Sequence, residues 1–344
     1  MVSNSMKKKQ LILILFSLII VAFSCVKDSA LEDENSIYTA GMIAFTAYDD
    51  STMSDLEIYL VDSDDFSPES INISNSVMVD CYPNWLYDKS SIIYISTSGS
   101  QSSLYKVDPF SLENYLFFSS NDLILKISTS PSESKLAYFK TIINQQRITL
   151  NLLNIETLDT LQLATIQDAG SLHIAWSVDG VKLAVKSGVI LVYNSQQGNL
   201  LYNINSSGNY FAWDETGEGL YIIRSGNLLH VDTLQEWTIL AEKNLAYPAF
   251  SPDRRSLACV SQAMGNALIV IDLSFGDYVT VKQIQLPQFE CGDYRIIDWS
   301  PDSREISFVD FEDGHWNIFT ASRDNFYPVE KVTEDHLYIK SLDQ

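Results

Sequence analysis

Histidine is scarce in this chain, with 4 in 344 residues, and basic side chains are outnumbered two to one, 22 Lys and Arg against 44 Asp and Glu. The formal charge of −22 creates a field that repels phosphate backbones and anionic lipid headgroups, so nucleic-acid binding is excluded as a function. The motifs GxSxG, HExxH, GxGxxG and the P-loop are all missing, which leaves hydrolase, zincin and nucleotide-binding readings without their usual residues. Cysteine is also sparse. Beyond Cys25 there are Cys81, Cys259 and Cys291, an odd set that excludes a fully paired disulfide framework, and Cys259 within Leu257 to Val260 reads as a small buried hydrophobe. Aromatics are plentiful at 12%, which argues against wholesale disorder. The length suits two average domains or one large β architecture.

The most apolar run, Leu11 to Phe23, has thirteen residues and only Ser17 polar, short of the roughly 18 to 20 that a spanning helix needs. Lys7 to Lys9 precede it and Ser24-Cys25 follow, the layout of a cleavable secretion signal. The Cys directly after a small residue resembles a bacterial lipoprotein signal, which implies lipidation at Cys25. The loose lipobox Ala22-Phe23 and the acids Asp28, Glu32, Asp33 and Glu34 are similar to lipoproteins of Bacteroidetes-type bacteria. Three segments are therefore expected: a signal peptide over 1–24, an acidic flexible tether over 25–36, and a body over 37–344. Removing the first removes three lysines and no acids, taking the charge from −22 to −25.

The body repeats. Trp176 to Ala184 (WSVDGVKLA), Phe250 to Ala258 (FSPDRRSLA) and Trp299 to Ser307 (WSPDSREIS) are strong copies, and Trp85 to Ile93, Thr129 to Ala137 and Trp213 to Tyr221 are weaker ones. Each couples an aromatic or small strand end to a Pro/Asp/Ser/Gly turn and then an apolar segment, the chemistry of a hairpin. Their turn positions Asp88, Ser132, Asp179, Thr216, Asp253 and Asp302 are 44, 47, 37, 37 and 49 residues apart. An independent series of apolar strings ends at Asp62, Asp108, Asn154, Asn194, Asp232 and Asp272, at separations of 46, 46, 40, 38 and 40, with Ile318 to Ser322 as a seventh. About four strands in about 40 to 45 residues is the spacing of propeller blades.

The first unit holds Met42 to Ala47 and Glu57 to Asp62 with little room for a strand ahead of them, and the alternating segment His336 to Leu342 has no blade of its own. The expected fold is thus all-β, a seven-bladed β-propeller whose C-terminal strand closes the ring onto blade one. The aromatic-Ser-Pro-Asp turn followed by an apolar strand resembles the TolB-type, WD-like propeller repeat over essentially all of residues 37 to 344. That repeat occurs in periplasmic scaffolds, in non-catalytic domains of peptidases and in some lyases, so the resemblance implies fold more than function.

No catalytic residue is assigned. The string Asp62 to Glu69 is superficially like a calcium loop but lacks the further ligands and glycine, and reads as a solvated hairpin tip. The recurrent Trp85, Trp176, Trp213, Phe250 and Trp299 read as packing between blades rather than sugar platforms. Unusually long connections in blades one and seven, at Tyr48 to Asp55 and Asp310 to Trp316, become neighbours on ring closure. They could gather Asp49, Asp50, Asp55, Asp310, Glu312, Asp313, His315 and His336 on one sector of rim, as a solvated acidic edge or as a seat for a cation such as Ca²⁺ or a basic partner. No other cofactor is expected. The leading expectation is a lipid-anchored, outer-membrane scaffold in the bacterial cell envelope that binds another envelope protein and catalyses nothing. The alternative is glycan binding or a metal-dependent polysaccharide lyase, for which His173, His230, His315 and His336 are the available imidazoles.

Overall fold

The computed structural model describes residues 41–48, 56–65, 67–142, 147–166, 172–206, 208–232, 235–286, 295–323, 325–334 and 337–343. Cys25, Cys291, Asp49, Asp50, Asp55 and His336 lie outside them, as do the expected signal and tether.

Seven four-stranded antiparallel sheets form the blades of a ring. Blades two to seven each run outward in chain order, from inner strands at Val79–Trp85, Ile124–Thr129, Ile174–Trp176, Tyr210–Trp213, Leu245–Phe250 and Ile297–Trp299. Blade one is composite. Its inner strand is Tyr338–Asp343, paired antiparallel with Met42–Tyr48, followed outward by Leu56–Asp62 and Ile71–Asn72. The chain thus closes the ring with its last strand, as the unpaired segment at 336–342 predicts.

Each recurrent residue type has a local cause. At the turns of blades four, six and seven the Ser hydroxyl donates to the Asp carboxylate two residues on, at 2.6 Å for Ser177–Asp179, 2.6 Å for Ser251–Asp253 and 2.7 Å for Ser300–Asp302. The same hydroxyls accept from the backbone N–H of Lys182, Ser256 and Glu305 as the next strand begins. The Asp or Asn ending the third strand of blades two, three, four and six forms an Asx turn: Asp108, Asn154, Asn194 and Asp272 each accept from two backbone N–H groups just ahead. Asp62 accepts from Asp64 N at the start of the turn that follows its strand.

The core lies between blades rather than inside them, in apolar clusters that each draw on adjacent sheets. The tryptophan register explains how neighbours lock. Each indole Nε1–H donates to a carbonyl on the inner strand of the preceding blade: Trp85 to Asp343, Trp176 to Ser128, Trp213 to Ala175 and Trp299 to Ala249. At the corresponding place in blade three, the Thr129 hydroxyl donates to the Trp85 carbonyl at 2.8 Å. One residue therefore supplies both a large apolar plug and a directional bond to its neighbour.

The connection in blade seven is tighter than the sequence suggests. Strands Glu305–Glu312 and His315–Ser322 extend through the expected loop and meet at Asp313-Gly314, both with positive φ (56° and 88°). An Asp-Gly pair favours the two-residue turn that matches strand twist, so the hairpin lengthens instead of opening into a loop.

Two outcomes follow. Ending the chain after Thr333 removes the inner strand of blade one together with Asp343, and should lower the whole unfolding transition in calorimetry; an unchanged midpoint would show that closure is dispensable. Trp213→Phe keeps most of the apolar volume of a fully buried side chain but orphans the Ala175 carbonyl, and should cost about 1–3 kcal/mol in urea denaturation.

Candidate functional site: the axial channel

Because strand direction alternates, the aromatic-Ser-Pro-Asp turns all face one side of the ring and the second-to-third-strand hairpins face the other. A channel runs along the axis between them. Its wide mouth, on the side of the aromatic-Ser-Pro-Asp turns, is a cavity of about 420 Å³ bordered by Trp85, Lys89, Pro131, Arg254, Asp298 and Asp343 among others. A middle section of about 260 Å³ leads to a narrow one of about 150 Å³ between Asn84, Lys126, His173, Tyr210, Tyr247 and Arg295.

Among the described residues, the channel's titratable side chains include more basic groups than acidic ones, against the sign of the whole chain. Lys89 and Arg254 stand at the mouth, Arg295 in the middle and narrow sections, and Lys126 at the narrow end. Burial pushes the Lys89 ammonium and the Arg254 guanidinium below their ordinary values. For Lys126, burial and then the nearby positive charge of Arg295 bring the amine down to about 7. His173 is driven down to about 3 by burial and by Lys126, so it is neutral. Its Nε2 lies 2.8 Å from the Phe211 carbonyl, which makes Nε2 the protonated nitrogen and leaves Nδ1 a buried acceptor without a hydrogen-bond partner.

Acidic groups in the channel are engaged in structure. Asp343 accepts from Trp85 N at 2.8 Å and pairs with Arg295, which also donates to the Pro83 carbonyl. Asp298 accepts from Trp299 N.

The acidic candidates on blade seven lie on the opposite side of the ring from the wide mouth, each near a lysine. Asp310 is buried, 2.8 Å from Lys282, and accepts from Gln285 N and Phe311 N. Glu312 is 3.9 Å from the same Lys282, and Asp313 is 3.7 Å from Lys331. His315 closes the same hairpin opposite Glu312. Among the described residues no group of three His, Cys, Asp or Glu side chains is placed to hold a metal ion. The described histidines are dispersed: His173 lines the channel, whereas His230 is buried in blade five against Trp237 and 2.9 Å from Asp214. Burial works to raise the Asp214 carboxyl, but hydrogen bonds from His230 and Thr216 outweigh it and hold it below the usual range.

Sequence reasoning missed the channel cations. Lys126 sits mid-strand in Ile-Leu-Lys-Ile, and a charged residue inside an inner strand was a readable signal. Lys89 and Arg254 follow the turn aspartates where other copies carry Gly180 or Ser303, a variation within the repeat that marks both blades.

No family model and no curated protein matches the chain. Among solved structures it is similar to TolB from Acinetobacter baumannii, with 14% identity over 89% of this chain and 69% of that one and a TM-score of 0.54. It is also similar to an oligogalacturonate lyase in complex with manganese (14% identity, 86% and 87% covered, TM-score 0.63). A putative 6-phosphogluconolactonase from Bacteroides fragilis is a third such structure (12% identity, 89% and 98% covered, TM-score 0.58). These likenesses establish a propeller fold shared by proteins of different activity.

The altered Lys126 amine has a measurable consequence. Its folded value of about 7 lies below the unfolded one, so the unfolded chain binds more protons between pH 7 and about 10.4, and stability gains with pH across that window. Below pH 7 the full cost of a buried charge is present. Lys126→Met should therefore stabilise the fold more at pH 6 than at pH 10; equal urea midpoint shifts at both values would contradict this assignment.

Proposed function

We propose that this protein is a lipid-anchored propeller of the bacterial cell envelope that binds another envelope protein and catalyses no reaction. The observation carrying this reading is the axial channel, where Lys89, Arg254, Arg295 and Lys126 outnumber Asp298 and Asp343 inside a chain of net charge −22. Such local inversion of sign favours recognition of a complementary partner over nonspecific adhesion. His173, the one histidine that lines the channel among the described residues, is neutral and bonded to a backbone carbonyl, a poor proton shuttle at neutral pH. The Cys25 signal supplies the anchor and the outer-membrane address in this reading.

Glycan handling is the second reading, and one observation favours it. A Lys126 amine near neutrality beside Arg295 has the pairing needed to take a proton next to a carboxylate that the guanidinium holds. The scaffold reading leads because the manganese-bound lyase it resembles in fold holds a metal, whereas the histidines described here do not converge. New ultraviolet absorbance from unsaturated products on incubation with oligogalacturonate, lost in Lys126→Met, would reverse the order.

The scaffold reading is tested by crosslinking the anchored full chain in intact envelopes and purifying it in detergent. One stoichiometric protein, crosslinked at the wide face, is expected, together with palmitate incorporation that Cys25→Ala abolishes. Recovery of the chain alone would refute partner binding, and unlabelled chain would refute the anchor.

A further inference from the structure

Among the described residues five acidic side chains are buried: Glu57, Asp80, Asp214, Asp310 and Asp343. Three have a basic neighbour. Asp214 lies 2.9 Å from His230 and Asp310 2.8 Å from Lys282, and Asp343 pairs with Arg295. Glu57 and Asp80 instead meet serines, at the place where blade one passes into blade two. A buried carboxylate is costly unless a cation or a full set of donors surrounds it.

The local chain brings the two acids together. Glu57 lies on Leu56–Asp62 of blade one, Ser74 and Ser76 lie in the connection to blade two, and Asp80 and Ser96 face each other across its first two strands. The Ser74 hydroxyl donates to Glu57 Oε2 and accepts from Ile58 N. Ser76 links the acids: its N–H donates to the Glu57 carboxylate at 3.2 Å and its hydroxyl to Asp80 Oδ2 at 2.7 Å. Burial raises the Tyr94 phenol, and the charges of Asp80 and Glu57 both add to that, so one tyrosine senses both carboxylates.

Asp80 is incompletely satisfied. It is 0% exposed, and its Oδ1 has no hydrogen-bond partner. Burial pushes the carboxyl up against the opposing hydroxyls of Ser96, Ser76 and Ser74. Protonation would not repair the contact, because an O–H at Oδ1 would find no acceptor and the Ser76 proton already points at Oδ2. A hard cation would repair it, since such ions are held by carboxylate, hydroxyl and carbonyl oxygens. The charge of two carboxylates matches Ca²⁺, whereas Mg²⁺ gives up its waters reluctantly and suits an enclosed junction less well.

We propose that Glu57 and Asp80, with the serine hydroxyls around them, form a Ca²⁺ site that clasps blade one to blade two. It uses none of the acids on the hairpin of blade seven.

The test takes the purified full chain after treatment with a chelator. Calorimetric titration with Ca²⁺ should show saturable binding, and millimolar Ca²⁺ should raise the thermal midpoint, with Mg²⁺ doing less on both counts. Asp80→Asn keeps the side-chain shape and should weaken Ca²⁺ by at least roughly tenfold and remove the midpoint shift; Asp313→Asn should do neither. Tb³⁺ offers a readout that does not depend on the folding of Asp80→Asn: it should emit under tyrosine excitation, with emission displaced by Ca²⁺ and diminished in Tyr94→Phe. Wild-type chain that shows neither heat nor a midpoint shift would overturn the site and leave Asp80 a buried neutral acid. Binding lost in Asp313→Asn but kept in Asp80→Asn would overturn it too, moving the ion to blade seven. Equal midpoint shifts with Mg²⁺ would reduce the effect to general screening of an acidic chain.

Discussion

Ring closure at Asp343 is the constraint on which the remaining geometry depends. Its strand completes blade one, its carboxylate accepts from the backbone of Trp85 in blade two, and it pairs with Arg295, which leads into blade seven. The Trp85 indole then donates to the Asp343 carbonyl, so three consecutive blades meet in two residues and a guanidinium. Asp343 is buried and Arg295 about a third exposed at 34%, so the pair is worth less than a fully enclosed one but more than a surface bridge. Every other blade junction repeats the carbonyl-seeking side chain or fills its place with apolar contacts. The axial channel exists because these junctions fix the inner strands at a common radius.

The same closure determines the electrostatics of the channel. Arg295 is held in place by Asp343 and the Pro83 carbonyl, and from there it lowers the Lys126 amine. The inner strands thus join two tasks. They hold the ring together through backbone and carboxylate bonds, and Lys126 on one of them places an amine in the channel.

Much of the fold was legible in the sequence because its causes are local. A serine and an aspartate two apart define the first hairpin turn, an Asp or Asn ending an apolar string defines the next, and both recur at blade spacing. The closing strand could be deduced by elimination. The channel was less legible. Lys126 and His173 are 47 residues apart and His173 and Arg295 are 122, and no spacing rule links residues that meet on an axis of seven sheets. Asp310 to Trp316 reads as a loop in the sequence, whereas the Asp313-Gly314 turn continues the ladder, with Lys282 and Lys331 close to the carboxylates. Lysines from an outer strand and a neighbouring blade cannot be assigned to such a hairpin without the fold.

The composite blade also bears on how the molecule is made. The Ser341 hydroxyl meets Thr46 across 295 positions of sequence, so the second strand of blade one must wait for nearly the whole body to be synthesised before its inner neighbour arrives. Until then Met42–Tyr48 presents an unpaired edge of buried-type residues, open to mispairing with other chains. The inner edge of Met42–Tyr48 is therefore covered only when Tyr338–Asp343 arrives to pair with it.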